Sequence, residues 1–158
     1  MNKILIGTTI IFLLIGLNAC SYKPIFLEKN YEFEIEEIIL SGEKNINNII
    51  NSKLKLIKST GEKNKKKYNI EIKSTKSRKT VSKNSKGDPL KFEMTILVEY
   101  KIIDNENILL SNKIEKKNIY NNDSDQFKLE QTEDIILENL TENASDIIIS
   151  SIINLDDN

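Results

Sequence analysis

Histidine and tryptophan are absent from this chain of 158 residues, and cysteine occurs once. Without histidine there is no imidazole base, no Ser-His-Asp triad and no ring nitrogen to hold a metal. A single thiol excludes an intramolecular disulfide framework and a cysteine-rich zinc site. Net charge is −1 at neutral pH, so no global bias points to nucleic acid or to an acidic substrate. Arginine is represented by Arg78 alone, and alanine and glycine are scarce, whereas isoleucine, asparagine and lysine are heavily used. That is the amino-acid usage of an AT-rich genome, so abundant lysine does not by itself assign a ligand. The length allows at most one modest domain plus whatever is processed away.

What is present begins with an apolar run. Lys3 supplies a basic start, and Ile4 to Leu17 is almost uninterrupted apolar sequence. This is the order of a secretory signal peptide. About 14 residues fall short of the roughly 20 that a membrane-spanning helix requires. The lone cysteine, Cys20, follows Leu17-Asn18-Ala19 at the end of this run. Small residues before a cysteine in that place resemble the lipobox of bacterial lipoproteins. In that family cleavage precedes the cysteine, which is then acylated. The expected organisation is a signal peptide over 1–19 and one domain over 20–158. A lipid attachment point explains a thiol without a partner, and more than one acyl chain makes anchoring stable. Ser21, in place of an aspartate, favours the outer membrane by that family's sorting rule.

The remaining chain alternates between two periodicities. Tyr31, Phe33 and Ile35 face one way and Glu32, Glu34 and Glu36 the other, a half-buried strand that Ser41-Gly42 ends. From Lys44 to Thr60, Ile46, Ile49, Ile50, Leu54 and Ile57 form a helical stripe, with Gly61 as a stop. Tyr68, Ile70 and Ile72 start a second strand. The polar stretch Thr75 to Lys86 reads either as its exposed continuation or as a mobile loop, ahead of the turn Gly87-Asp88-Pro89. Leu90, Phe92, Met94, Ile96, Val98, Tyr100 and Ile102 alternate without a miss. Asp104 to Asn107 turns the chain into a partner strand from Ile108 to Tyr120. The rest reads as one helix with N-caps available at Asp123, Ser124 and Asp125 and a break or frayed start near Asn121 to Lys128. Its stripe runs through Ile136, Leu140, Ala144, Ile147, Ile148, Ser151, Ile152 and Leu155. The expected fold is α+β: an antiparallel or mixed sheet of about four strands with two helices packed on one face.

No nucleophile-base pair, metal-ligand constellation or glycine-rich phosphate loop is present, so neither catalysis nor a cofactor or metal is expected. Carboxylates are spaced as solvated faces, not as a glycosidase dyad. Charge is divided along the chain. Residues 53–91 carry 14 basic and 3 acidic side chains, and residues 92–158 carry 5 basic and 15 acidic. Lys63, Lys65, Lys66, Lys67, Arg78, Lys79, Lys83 and Lys86 are expected near turns at one end of the sheet. There they would bind lipid-linked phosphates or form ordinary solvated surface. An exported, anchored domain meets neither chromosome nor ribosome, so no nucleic-acid partner is expected.

The start "CSYKPIF" resembles the lipopolysaccharide-assembly lipoprotein LptE. The likeness continues through "YNIEIKSTKSRKTVSKNSKGDPLKFEMTILVEYKIIDNENILLSNKIEKKNIYNN" and the long terminal helix, covering nearly all of Leu17 to Leu155. The resemblance implies a non-enzymatic outer-membrane lipoprotein. Such a protein sits as a plug inside an LptD-type β-barrel translocon, helps assemble it, and assists delivery of lipopolysaccharide to the outer leaflet. It further implies lipopolysaccharide binding by basic residues at the strand-loop end. The matching positions are Lys83 and Lys86 before the Gly87 turn and Lys128 at the start of the last helix. Arg78 is the one residue of the basic stretch able to clamp a phosphate through two parallel bonds. A lipoprotein auxiliary subunit of a lipid-transport ABC system is the alternative, and a lipid-anchored hydrolase is a third reading that the missing catalytic spacing disfavours.

Overall fold

The computed structural model describes residues 33–57 and 65–156. The signal peptide, Cys20, Tyr31, Lys63 and the Gly61 stop lie outside the described residues. The order is β1 (Phe33–Gly42), α1 (Lys44–Ile57), β2 (Lys66–Lys83), β3 (Pro89–Asp104), β4 (Asn107–Asn121) and α2 (Gln126–Asp156). The strands form one sheet in the order β1-β2-β3-β4. β1 and β2 are parallel, and the other two pairings are antiparallel. The fold is therefore α+β with a mixed sheet, both helices covering the same face.

β1 shows how the pattern dictates geometry. Phe33 and Ile35 are buried, yet the next apolar residues that must turn inward, Ile38 and Leu40, are out of phase with them. A bulge between Ile35 and Glu37 absorbs the extra residue, so Ile38 pairs with Ile70 and Leu40 with Ile72 on the core side. Gly42, at φ +94, then turns the chain into α1. The junction is closed by polar contacts. The Glu43 amide donates to the Ser74 carbonyl at 3.2 Å, and buried Ser74 Oγ donates to Asn47 Oδ1 at 2.8 Å. α1 buries Ile46, Ile50, Leu54 and Ile57, with Ile49 half-buried at the edge of the expected stripe.

β3 is the centre of the core. Phe92, Met94, Ile96, Val98, Tyr100 and Ile102 are all buried, while Leu90 is 47% exposed at the strand's start. The β3–β4 connection is a two-residue turn with Asn105 at φ 43 and Glu106 at φ 74, the backbone of a type I′ hairpin. β2 runs on to Lys83, so the stretch after Ser74 is strand and not a mobile loop.

α2 is continuous over 31 residues. Asp125 is its cap, its Oδ1 accepting from the Phe127 amide at 3.0 Å. Its buried side chains are Leu129, Leu137, Leu140, Thr141, Ala144, Ser145, Ile148, Ile149 and Ile152. The stripe is rotated from the expected one: Ile147 is exposed, and Thr141 and Ser145 are inside. Both hydroxyls donate to carbonyls four residues back, at 2.7 Å to Leu137 and 2.8 Å to Thr141, which removes most of the cost of burying them. Lys53 joins the two helices through Glu142 at 3.4 Å.

Candidate functional site

The sheet has two unlike faces and two unlike ends. On the face away from the helices, cross-strand ion pairs link Lys79 to Glu93 at 2.7 Å, Lys101 to Glu71 at 3.0 Å and Lys113 to Glu99 at 3.9 Å. The Lys101–Glu71 and Lys113–Glu99 pairs are exposed and contribute at most about 1 kcal/mol each, whereas Glu93 of the third is buried. Their significance is that this face carries charge of both signs, with Ile39 and Ile119 exposed beside the pairs. Its middle is an open concavity of about 600 Å³, bordered by Ile39, Glu71, Lys73, Glu99, Lys101 and Lys113. Lys79, through its hydrogen bond, holds the Glu93 carboxyl below the usual range, and Glu93 raises Lys79 in turn.

The basic residues do not gather at one end. β2 is 18 residues long and, at roughly 3.3 Å per residue, separates its ends by about 55 Å. Lys65, Lys66 and Lys67 stand at its start, with Lys67 paired to Glu36 at 3.0 Å, and Lys83 and Lys86 at its finish. The expectation of one cluster fails because the stretch 75–83 is extended and carries its lysines away from the others.

The end that holds Lys83 and Lys86 is built by a tight hairpin. Asn84 Oδ1 accepts from the amides of Lys86 and Asp88, both at 2.9 Å, and the Gly87 amide donates to the Asn84 carbonyl at 3.0 Å. Gly87 has φ +91. The Asn122 amide donates to the Leu90 carbonyl at 2.8 Å, which ties the start of α2 to the same end. Lys128, in the first turn of α2, is thereby brought to the hairpin end. Lys83, Lys86 and Lys128 are exposed and make no ion pair within the described residues.

Arg78 differs from these three. Its Nε donates to Glu133 Oε1 at 3.0 Å, and its guanidinium carbon lies 3.7 Å from the centroid of the Phe92 ring. The Tyr120 hydroxyl donates to the same Glu133 oxygen at 2.6 Å, and Phe92 and Tyr120 are in ring contact at 5.8 Å between centroids. Burial, followed by the bond to Glu133, pushes the Tyr120 phenol up to about 12. Glu133, Tyr120 and Phe92 were not signalled as site residues by the sequence. The available hint was that Arg78 shares the inward phase of Tyr68, Ile70 and Ile72.

Among the described residues no group of His, Cys, Asp and Glu side chains is placed to hold a metal ion, and no helix is long and apolar enough to cross a membrane. Cys20, the expected acylation site, lies outside the described residues.

This architecture is shared with solved bacterial proteins. Rare lipoprotein B from Shewanella oneidensis superposes with a TM-score of 0.58 at 20% identity, over 76% of this chain and 96% of that one. An uncharacterized lipoprotein B from Nitrosomonas europaea gives 0.60 at 15% identity, over 86% and 92%. A minor lipoprotein from Acinetobacter baumannii gives 0.51 at 13% identity, over 75% and 93%. At these identities the likeness is one of fold. No protein-family model matches the chain, and no curated protein matches it in sequence.

Proposed function

We propose that this chain is an outer-membrane lipoprotein of the LptE type, anchored by acyl chains on Cys20 after removal of residues 1–19, with 20–158 as one periplasm-facing domain. It plugs an LptD-type β-barrel and helps assemble it for insertion of lipopolysaccharide into the outer leaflet. It works as a docking body and not as an enzyme.

The observation that carries this reading is the open face of the sheet, laid with the Lys79–Glu93, Lys101–Glu71 and Lys113–Glu99 pairs. A wide barrel has a polar lumen that is plugged in several known cases. A body filling such a lumen needs a surface of mixed charge and hydrogen-bonding groups. On this face the charged pairs are interleaved with single exposed apolar side chains such as Ile39 and Ile119, and the charges of both signs give it the mixed character that such a lumen needs. The lipobox-like run before Cys20 and the fold held in common with proteins named as lipoproteins support the same reading. The exposed Lys83, Lys86 and Lys128 supply the glycolipid-facing end, where ammonium groups replace the divalent cations that bridge lipid phosphates.

Purification of the acylated full-length chain in mild detergent tests the proposal. The expected result is co-purification of a large β-barrel protein, identified by mass, and depletion of that barrel when the chain is lost. Recovery of the chain alone with barrel levels unchanged overturns the proposal, as does its enrichment with inner-membrane markers.

A further inference from the structure

Arg78 is the chain's one arginine, and its planar fork is the group best matched to a phosphate. Yet it is the one basic residue at this end of the sheet whose charge is answered by the helix lying over it. Glu133 Oε1 takes its Nε at 3.0 Å and takes the Tyr120 hydroxyl as well. The guanidinium is oriented by Phe92 beneath it and neutralised by a carboxylate that belongs to α2.

The part of α2 that carries Glu133 is its less firmly packed half. Over 126–139 only Leu129 and Leu137 are buried, whereas 140–152 buries Leu140, Thr141, Ala144, Ser145, Ile148, Ile149 and Ile152. Lys53 of α1 reaches the second half, at Glu142 and Asp146, and not the first. Glu130, Asp134 and Glu138 follow one another at intervals of four, a spacing at which like charges oppose the helix. Lys128 stands in the first turn, where a cation is disfavoured by the helix dipole. The Arg78–Glu133–Tyr120 contact is therefore the principal polar tether of a segment that little else holds down.

We propose that Arg78 is a phosphate site held closed by Glu133, and that a phosphorylated amphiphile arriving at Lys83, Lys86 and Lys128 replaces Glu133 on Arg78 and loosens residues 126–139 from the sheet. The inference rests on the reading that this end meets glycolipid. A diphosphate carries more charge than the one carboxylate it displaces, and Glu133, once released, is rehydrated at the helix surface. α2 from 140 onward stays docked through its own core contacts.

Backbone hydrogen exchange on the full acylated chain in detergent, with no barrel present, tests this. Inorganic pyrophosphate and an acylated, diphosphorylated glucosamine disaccharide serve as the two probes. Both are expected to speed exchange over 127–137 several-fold and to leave 144–152 unchanged. Glu133→Gln keeps the shape and removes the competing charge, so it is expected to bind pyrophosphate about two- to fivefold tighter than the native chain. Arg78→Lys keeps a charge without the fork and is expected to abolish the acceleration. Unchanged or slower exchange over 127–137 with probe bound overturns the proposal. So does a Glu133→Gln chain that binds pyrophosphate no tighter while its β3 exchange matches the native one. A response to the acylated probe alone also overturns it, because the trigger would then be acyl chains. Loss of barrel capture with this response intact would remove the plug reading and leave the latch standing.

Discussion

Gly42 and Ser74 approach so closely that a β-carbon on Gly42 would lie 1.9 Å from the Ser74 carbonyl oxygen. The contact sits where β1 hands over to α1, and the same oxygen receives the Glu43 amide. Gly42 is also at φ +94, a backbone region that side chains oppose. Gly42→Ala combines strain with a collision against backbone that cannot move aside without breaking the β1–β2 pairing. The expected loss is at least about 2 kcal/mol, read as a lowered midpoint in thermal or urea unfolding. A change of under half that amount would mean that the junction relaxes freely.

Ser74 and Asn47 make a second test of the same junction. Ser74 Oγ is fully buried and donates to Asn47 Oδ1 at 2.8 Å. Ser74→Ala leaves that oxygen without its donor, at an expected cost of about 1–3 kcal/mol. Asn47→Ala should cost a similar amount, and the double variant less than the sum, because the second change removes the group that the first left stranded. Simple additivity in denaturant unfolding would show that the bond contributes nothing of its own.

Which parts of this fold were legible in the residues follows from where water lies. β3 was plain because helices cover one face along its length, so every second residue is apolar from Phe92 to Ile102. β2 was plain only to Ile72. Beyond Ser74 its inward positions are Lys76, Arg78 and Thr80, which α1 does not reach, and alternation of polarity disappears although the strand continues. The stripe of α2 differs from the expected one because Thr141 and Ser145 lie inside, which their hydroxyls allow by bonding within the helix. At the candidate site, Lys83 and Lys86 could be placed beside the Gly87 turn, whereas Lys128 came only from the resemblance. Glu133 and Tyr120 could not be placed, since their meeting with Arg78 depends on how α2 lies across β3 and β4.

The hairpin between β3 and β4 offers a gain in stability. Glu106 adopts φ 74 at a position of a type I′ turn where glycine is ordinarily found. Glu106→Gly relieves a conformational cost of about 1 kcal/mol and is expected to raise stability by up to that amount. The measurement is the unfolding midpoint, and a fall would show that the Glu106 side chain makes a contribution larger than its backbone strain.

Tyr120 ties stability to alkaline pH. Its folded value, raised to about 12 by burial first and then by Glu133, lies above the ordinary 10.0. A group raised on folding favours the folded state fully below its unfolded value, so this contribution is constant below about pH 10 and is lost as pH rises from 10 to 12. Absorbance titration of phenolate should show a late component, and Tyr120→Phe should remove it. Titration of all tyrosines near 10 in the folded chain would break the link between Tyr120 and Glu133.

The exposed lysines give the last test. Lys83 and Lys86 are exposed and have no ion-pair partner among the described residues, so their attraction for anionic glycolipid acts through water and is screened by salt. The screening length falls from about 30 Å at 0.01 M to about 10 Å at 0.1 M. Changing both to glutamate should weaken binding to lipopolysaccharide on the order of tenfold at about 0.01 M and progressively less as salt rises, because salt has already suppressed the native attraction. Arg78 follows a different rule: its guanidinium is packed on Phe92 and held by Glu133, so Arg78→Lys should alter binding by an amount that salt changes little. Binding to immobilised lipopolysaccharide across a salt series separates the two classes. Equal loss at every salt for the Lys83 and Lys86 reversals would mean that the hairpin had misfolded, and the glycolipid-facing end would have to be sought elsewhere on the sheet.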